Sequence, residues 1–263
     1  MTRLYQTERL NMIMETLKRD SKVSVESLAE MLKVSGATIR SDLRDLEIRN
    51  LIIRTHGGAL LKESVEETLR QDRDPSYESR AQKNVQLKEA IGKAVSALLE
   101  DGDSIMMDDG STTLQVARYL PAGRKFHIIT NGVNICLELL GNLDVEIIAT
   151  GGSLNRTDLS YYGKVAEATT SRFFTNRAIL GVSGISLQHG ITAPSEEKAE
   201  LKKVMIEHAR ELIIVADHTK LDRVTLVPIC AIEKVRRIVT DRNAPAEMVQ
   251  SLREIGVEVI LAN

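Results

Sequence analysis

With 263 residues, 43% of them hydrophobic, the chain has material for one large domain or for a small and a medium one, each with a packed core. No apolar run approaches the roughly 18 residues of a membrane span, and Met1-Thr2-Arg3-Leu4-Tyr5-Gln6 contains no apolar leader stretch, so the expected setting is the cytoplasm with no membrane partner. The net charge of −2 hides a split: residues 1–60 hold ten Lys/Arg against eight Asp/Glu, and the remainder holds 25 against 29.

Leu10, Ile13, Met14 and Leu17 recur at helical spacing and predict an amphipathic helix. Val25, Leu28, Ala29 and Leu32 predict a second, with Ser24 as its cap. A Lys33-Val34-Ser35 turn leads into a third helix beginning near Ser35, with Ile39, Leu43 and Leu46 facing inward and Ala37, Arg40, Ser41 and Arg44 forming the opposite stripe. Asn50 is suited to end it in the left-handed conformation. Two short apolar runs over residues 51–60, around Gly57-Gly58, predict a β-hairpin. Three small helices and a hairpin in that order make a winged helix-turn-helix over residues 1–60, whose third helix would lie in the major groove of duplex DNA. The candidate DNA contacts are Ser35, Ala37, Thr38, Arg40, Ser41 and Arg44, with Arg54 and His56 on the wing.

Residues 61–88 contain Pro75 and mix Glu63, Glu66 and Glu67 with Arg70 and Arg73, which reads as a charged, partly helical linker. From residue 89 to 263 the pattern changes. Apolar, β-branched runs over 104–107, 126–130, 145–149, 178–182, 212–216, 237–240 and 257–261 predict strands, and helical patterns over 114–120, 133–140, 164–173, 196–209 and 245–255 separate several of them. That alternation predicts an α/β domain with a Rossmann-like, mostly parallel sheet.

In such a sheet the C-terminal strand ends open on one crevice. Asp109-Gly110-Ser111-Thr112-Thr113 follows the first strand and opens a helix, where backbone N–H groups, hydroxyls and the helix dipole suit a phosphate; the same residues also suit a simple capped helix start. Gly110 would let the backbone approach an anion closely. Asn131-Gly132 and Gly151-Gly152 follow the next two strands, and Lys220 follows a later one through Asp217-His218-Thr219. These join the first loop as candidate effector contacts, with the Lys220 ammonium available to a phosphate or hydroxyl. Of Asp108 and Asp109, which could accept from ligand hydroxyls, one reads as a turn residue. Ser195 reads as a helix cap, with Glu196 and Glu197 as first-turn acids. Cys136 and Cys230 sit among apolar neighbours as free thiols. No metal site, no cofactor and no catalytic residue is expected.

Val34-Ser35-x-x-Thr38-Ile39-Arg40-x-Asp42-Leu43-x-x-Leu46, followed by Ile53-Arg54-Thr55-His56-Gly57-Gly58-Ala59, resembles the N-terminal signature of the DeoR family of bacterial transcriptional regulators. The likeness runs on through Asp109-Gly110-Ser111-Thr112-Thr113, Thr130-Asn131-Gly132, Gly151-Gly152, Gly163, Leu180-Gly181-x-x-Gly184-Ile185 and Asp217-x-Thr219-Lys220. The resemblance implies a second domain similar to the sugar-phosphate isomerase and CoA-transferase fold group, one that senses phosphorylated sugars or related metabolites. The chain departs from the family pattern at Ser41, where a second Arg is usual, and at Asn50, where Gly precedes the wing. It departs again at Asn176-Arg177, where Asp-Lys is usual, and the missing acid is one an isomerase-like site would use. The expectation is a repressor of a sugar-metabolism operon, at least a dimer, that binds operator duplex and a phosphorylated sugar and is not an enzyme. The alternative is an active sugar-phosphate isomerase with a DNA-binding domain attached.

Overall fold

The structure, a computed structural model, describes residues 6–20, 22–48, 51–54, 57–61 and 75–263. The chain divides into two compact units, one ending at Pro75 and the other beginning at Ser76.

In the first unit α1 (Gln6–Asp20) precedes a short strand β1 (Lys22–Ser24), α2 (Val25–Leu32) and α3 (Gly36–Ile48). Leu10, Ile13, Leu17, Leu28, Leu32, Ile39, Leu43 and Leu46 are buried in one cluster, so the residues at helical spacing do form the core. Ser24 caps α2, its hydroxyl accepting from the Ser27 N–H at 3.0 Å. Lys33 stops that helix in the left-handed conformation, φ 52°. The wing is β2 (Ile52–Arg54) and β3 (Gly58–Leu61), antiparallel, with Ile52 opposite Leu61 and Arg54 opposite Ala59. β1, for which the sequence gives no signal, pairs with the other edge of β3. Gly58 is therefore a strand residue: it lies opposite Ser24, and a Cβ there would come within 1.9 Å of the Val23 carbonyl oxygen. Asn50, His56 and residues 62–74 of the expected linker lie outside the described residues.

The second unit opens with α4 (Tyr77–Gln82) and α5 (Val85–Ser96). Tyr77, Ile91 and Val95 are buried in its core, so residues 76–88 pack with this unit and are not linker. The sheet then builds through β4 (Ser104–Met107), α6 (Ser111–Arg118), β5 (Phe126–Thr130), α7 (Val133–Leu139) and β6 (Val145–Ala149). A small hairpin follows, β7 (Ser153–Asn155) and β8 (Ser160–Tyr162), then α8 (Lys164–Thr170) and β9 (Thr175–Gly181). Beyond β9 come β10 (Gly184–Ser186), β11 (Gly190–Ala193), α9 (Glu196–Glu207), β12 (Ala209–Val215), β13 (Val227–Cys230), β14 (Arg237–Asp241), α10 (Ala246–Glu254) and β15 (Glu258–Ala262).

Seven strands form one sheet in the order β15-β14-β12-β9-β4-β5-β6, and its strand pairs are all parallel. Neighbouring residues alternate between two core clusters: Ile128, Ile179 and Ile213 join Val95 and Val116, whereas Ile129, Leu180 and Ile214 join Leu201 and Met205. A sheet buried on both faces gives the uninterrupted apolar runs that make each strand readable. The short antiparallel pieces, β7-β8 and β10-β11-β13, are not anticipated from sequence, because three or four residues carry no periodicity. Cys136 and Cys230 are half-buried and free, and burial raises both thiols, Cys230 to about 11. Among the described residues no helix is long and apolar enough to cross a membrane.

Candidate DNA-reading face and effector pocket

On α3 the inward side is anchored by Asp42, which is buried and accepts from two Arg9 nitrogens, Nε at 2.8 Å and Nη2 at 3.0 Å. This fixes the rotation of the helix, and Ala37, Arg40, Ser41 and Arg44 are left exposed on the opposite side. Ser35 and Thr38 act locally, as an N-cap for α3. The Ser35 hydroxyl accepts from the Thr38 N–H at 3.2 Å and lies 2.9 Å from the Thr38 hydroxyl. Arg54 is partly neutralised by Glu47, 3.3 Å away. The first unit thus presents a helix face whose two arginines, Arg40 and Arg44, point to solvent.

In the second unit the C-terminal ends of β12, β9, β4, β5 and β6 stand side by side, and each candidate effector residue follows one of them. Asp108, directly after β4, is buried and structural. Its Oδ1 accepts from the Gly110 N–H at 3.2 Å, the Gly181 N–H at 3.0 Å and the Thr113 hydroxyl. Its Oδ2 pairs with Lys202, whose ammonium also donates to the Gly181 carbonyl at 2.9 Å. One carboxylate therefore rivets the ends of β4 and β9 to α9. Asp108 is the turn residue.

The helix α6 begins at Ser111 with Gly110 as its N-cap and no side-chain cap bond. Its first backbone bond runs from Leu114 N–H to Gly110 O at 2.8 Å, so the N–H groups of Ser111, Thr112 and Thr113 precede it and point out of the helix start. The Thr113 hydroxyl is committed to Asp108. Ser111 also lines a cavity of about 510 Å³ with Tyr77, Gln115, Arg118 and Asn134, within the size range of small-molecule sites. Gly110 is glycine for space: its φ is −63°, and a Cβ would lie 2.8 Å from the Thr113 hydroxyl and 3.0 Å from Asp108 Oδ1. This crowding is a requirement for glycine separate from any approach to an anion.

Gly132 brings the next loop in, since a Cβ there would meet Asp109 Cα at 3.1 Å. Asn131 is buried, donates from Nδ2 to the Tyr161 carbonyl at 3.1 Å, and has an Oδ1 with no partner among the described residues. Gly151 and Gly152, beyond β6, need glycine for their backbone, φ 65° and 116°, and Gly152 also packs against the Tyr162 carbonyl. Asp109, Ser111, Thr112, Thr113, Asn131 and Gly132 thus come together. Gly151-Gly152 flanks them on one side, and Lys220 lies on the other, beyond β9.

Lys220 sits in a single helical turn after Asp217. Burial would raise the Asp217 carboxyl, but bonds from Thr219, the charge of Lys220 and Asn84 hold it below its usual value. His218 is turned to Asp241, with Nδ1 3.0 Å from Oδ1. Ser195 is positioned as the N-cap of α9, but its side chain makes no cap bond; Glu196 and Glu197 are exposed. Asn176 and Arg177 stand at the opposite end of the sheet from these loops. Asn176 Oδ1 accepts from the Ser104 N–H at 3.0 Å at the start of β4, and Arg177 pairs with Asp103 and Glu211. The departure from Asp-Lys there is therefore remote from the pocket.

Sequence reasoning misses five charged residues around these loops: Arg80, Lys88, Asp158, Lys198 and Lys202. Arg80 Nη2 lies 3.4 Å from Asp109 and 2.9 Å from Asp158. Burial would raise the Asp109 carboxyl, but Lys202, Arg80 and Lys198 outweigh it and hold it below the usual value. Lys88 is buried and donates to the carbonyls of Arg80 and Lys83. Among the described residues no group of His, Cys, Asp and Glu is arranged to hold a metal.

The model of the DeoR-like helix-turn-helix domain matches residues 9–65, and that of the DeoR C terminal sensor domain matches residues 83–242. The chain is 33% identical over 258 residues to the HTH-type transcriptional repressor GlcR of Bacillus subtilis, covering 98% of this chain and 97% of that one. It is 32% identical over 256 residues to the glycerol-3-phosphate regulon repressor of Escherichia coli K12, covering 97% and 99%. Among solved structures, a ribose 5-phosphate isomerase A from Methanocaldococcus jannaschii aligns with a TM-score of 0.39 at 16% identity, over 53% of this chain and 55% of that one.

Proposed function

The chain belongs to the DeoR family, which makes it a transcriptional regulator and not an enzyme, and from that premise we propose a repressor whose second unit binds a phosphorylated sugar or sugar derivative. The observation that carries the reading is the meeting of Asp109, Gly110, Ser111, Thr112 and Thr113 with Asn131-Gly132 at the start of α6. Outward N–H groups and the positive end of the helix dipole favour an anion there, and the Asn131 Oδ1, without a partner among the described residues, suits a donor such as a sugar hydroxyl. Lys220 supplies a further positive charge at the neighbouring strand end. The similarity to a repressor named for the glycerol-3-phosphate regulon supports a phosphorylated effector.

Operator DNA is read by Ala37, Arg40, Ser41 and Arg44, with Arg54 and His56 at the wing. A single winged helix offers a small interface, so the working form on DNA is at least a dimer on symmetric half-sites, in the cytoplasm. Effector and operator favour different arrangements of the protein, so each weakens the other by the same factor. A thermal-shift screen of the full chain against sugar phosphates and their parent sugars tests the effector class. A phosphorylated compound at 100 times its dissociation constant adds about 2.7 kcal/mol of stability. Equal shifts from a parent sugar and its phosphate contradict the reading.

A further inference from the structure

Beside the pocket, Asp158 lies buried in the connection between β7 and β8. One of its oxygens, Oδ1, accepts from Arg80 Nη2 at 2.9 Å and from the buried Lys198 ammonium at 2.8 Å. The same Arg80 nitrogen lies 3.4 Å from Asp109, the first residue of the pocket loop. The connection itself is fastened over the next loop: Val133 N–H donates to Leu159 O at 2.9 Å, and Tyr161 N–H to Asn131 O at 2.8 Å. It is also fastened to α4, whose Tyr77 N–H donates to Thr157 O at 2.9 Å.

Two cations from separate helices, α4 and α9, therefore converge on one carboxylate oxygen within reach of Asp109. Burial of an unpaired cation is costly, so each needs an anion; which anion it has is open to exchange. A phosphate ester offers more oxygens and up to twice the charge of a carboxylate, and a guanidinium binds it in a fork. The desolvation of Arg80 and Lys198 is already met in the fold, so handing them from one anion to another costs less than burying them anew. Asn131 Oδ1, buried and unpartnered among the described residues, lies in the loop that this connection covers and gives a hydroxyl-bearing anion a second point of recognition.

We propose that Asp158 is an internal counter-anion that competes with the effector's anionic group for Arg80 and Lys198. The proposal rests on the phosphate reading of the pocket and deepens it by naming the two cations that receive the phosphate. It also gives binding a consequence. Arg80 stands on the helix through which the chain enters the second unit, and releasing it from Asp158 loosens the tie between that helix and the β7-β8 connection.

The test is calorimetric titration of inorganic phosphate, at fixed ionic strength, into the full-length wild type and the variants Asp158→Asn, Arg80→Gln, Lys198→Gln and Ser111→Asp. Removing the competitor in Asp158→Asn tightens phosphate binding about tenfold, and removing either cation weakens it about tenfold, the scale of one charge-assisted hydrogen bond. In the double variant Asp158→Asn with Arg80→Gln most of the gain disappears. If Asp158→Asn is folded and binds phosphate no better than wild type, the exchange is overturned. If it does not fold, Arg80→Gln and Lys198→Gln decide: unchanged affinity in either overturns the proposal. Wild-type binding that Ser111→Asp abolishes but the Asp158 and Arg80 variants leave unchanged keeps the pocket and rejects the exchange. No phosphate binding by any form rejects both.

Discussion

The two units treat their polar side chains in opposite ways. On α3, Ala37, Arg40, Ser41 and Arg44 are exposed, whereas Asp109, Ser111, Thr112, Thr113 and Asn131 of the second unit are 0–8% exposed. Duplex DNA is larger than its reader, so the reading groups project outward and stay solvated until they meet it. On the proposed reading a small effector is enclosed, so its contacts belong to the interior and must be held by bonds to one another. The exposed set carries no folding cost, and its loss changes binding alone. The buried set is part of the fold, and Asp108, Asp158, Arg80, Lys198 and Lys202 pair there with one another.

The largest expected effect breaks the buried set. Asp108→Ala leaves the Lys202 ammonium without its carboxylate and frees the Gly110 and Gly181 N–H groups, and loss of one partner of a buried pair costs about 3–5 kcal/mol. Urea unfolding should show the second unit's transition shifted by that amount with the first unit's unchanged. A shift of less than about 1 kcal/mol would mean that the rivet is dispensable.

Next comes the exposed set. Arg40→Ala together with Arg44→Ala should lower operator affinity by about 1–3 kcal/mol for each base edge left unread and keep stability within about 0.5 kcal/mol of wild type. Mobility-shift titrations with unchanged affinity would remove α3 as the reading helix. A flatter dependence on salt in the variants would assign the arginines to phosphates instead of bases.

The smallest effect sharpens the contrast through pH. Burial pushes the Lys88 ammonium from 10.5 down to about 8, with Asp217 opposing and Lys220, Arg80 and Lys83 adding to the shift. Between those values the unfolded chain binds more protons at this site than the folded one, so this group makes stability rise with pH across the window. The slope it contributes is at most about 1.4 kcal/mol per pH unit. Lys88→Met should remove that contribution from the second unit's unfolding curve; an identical pH slope in the variant counts against it.

Legibility follows the same division. The α3 stripe is readable because an exposed face and a buried face alternate within thirteen residues, and the sheet strands are readable because each is apolar on both sides. The pocket loops can be placed because they directly follow those strands. What the sequence hides is charge in the interior. Lys198, Leu201, Lys202 and Met205 share the i, i+3, i+4, i+7 stripe of a buried helix face, so the two lysines stand at core positions, a signal masked when lysine is taken as solvent-facing. Arg80 falls within a charged stretch that reads as linker, and Asp158 lies in a short hairpin connection with no pattern at all. Gly110 stands out in the sequence as a turn glycine, but only the folded contacts reveal its crowding by Thr113 and Asp108.

An anion held at the start of α6 is proposed to change the affinity of α3 for DNA. The most direct measurement is fluorescence anisotropy of the full chain on an operator selected from a random duplex pool, with and without each member of a sugar-phosphate panel, for wild type and Ser111→Asp. One phosphorylated compound should shift wild-type affinity at least about fivefold, the lower end of allosteric coupling. Its parent sugar should leave the affinity unchanged, and Ser111→Asp should bind the operator normally but not respond. A response of equal size in Ser111→Asp, or from the unphosphorylated sugar, would contradict it.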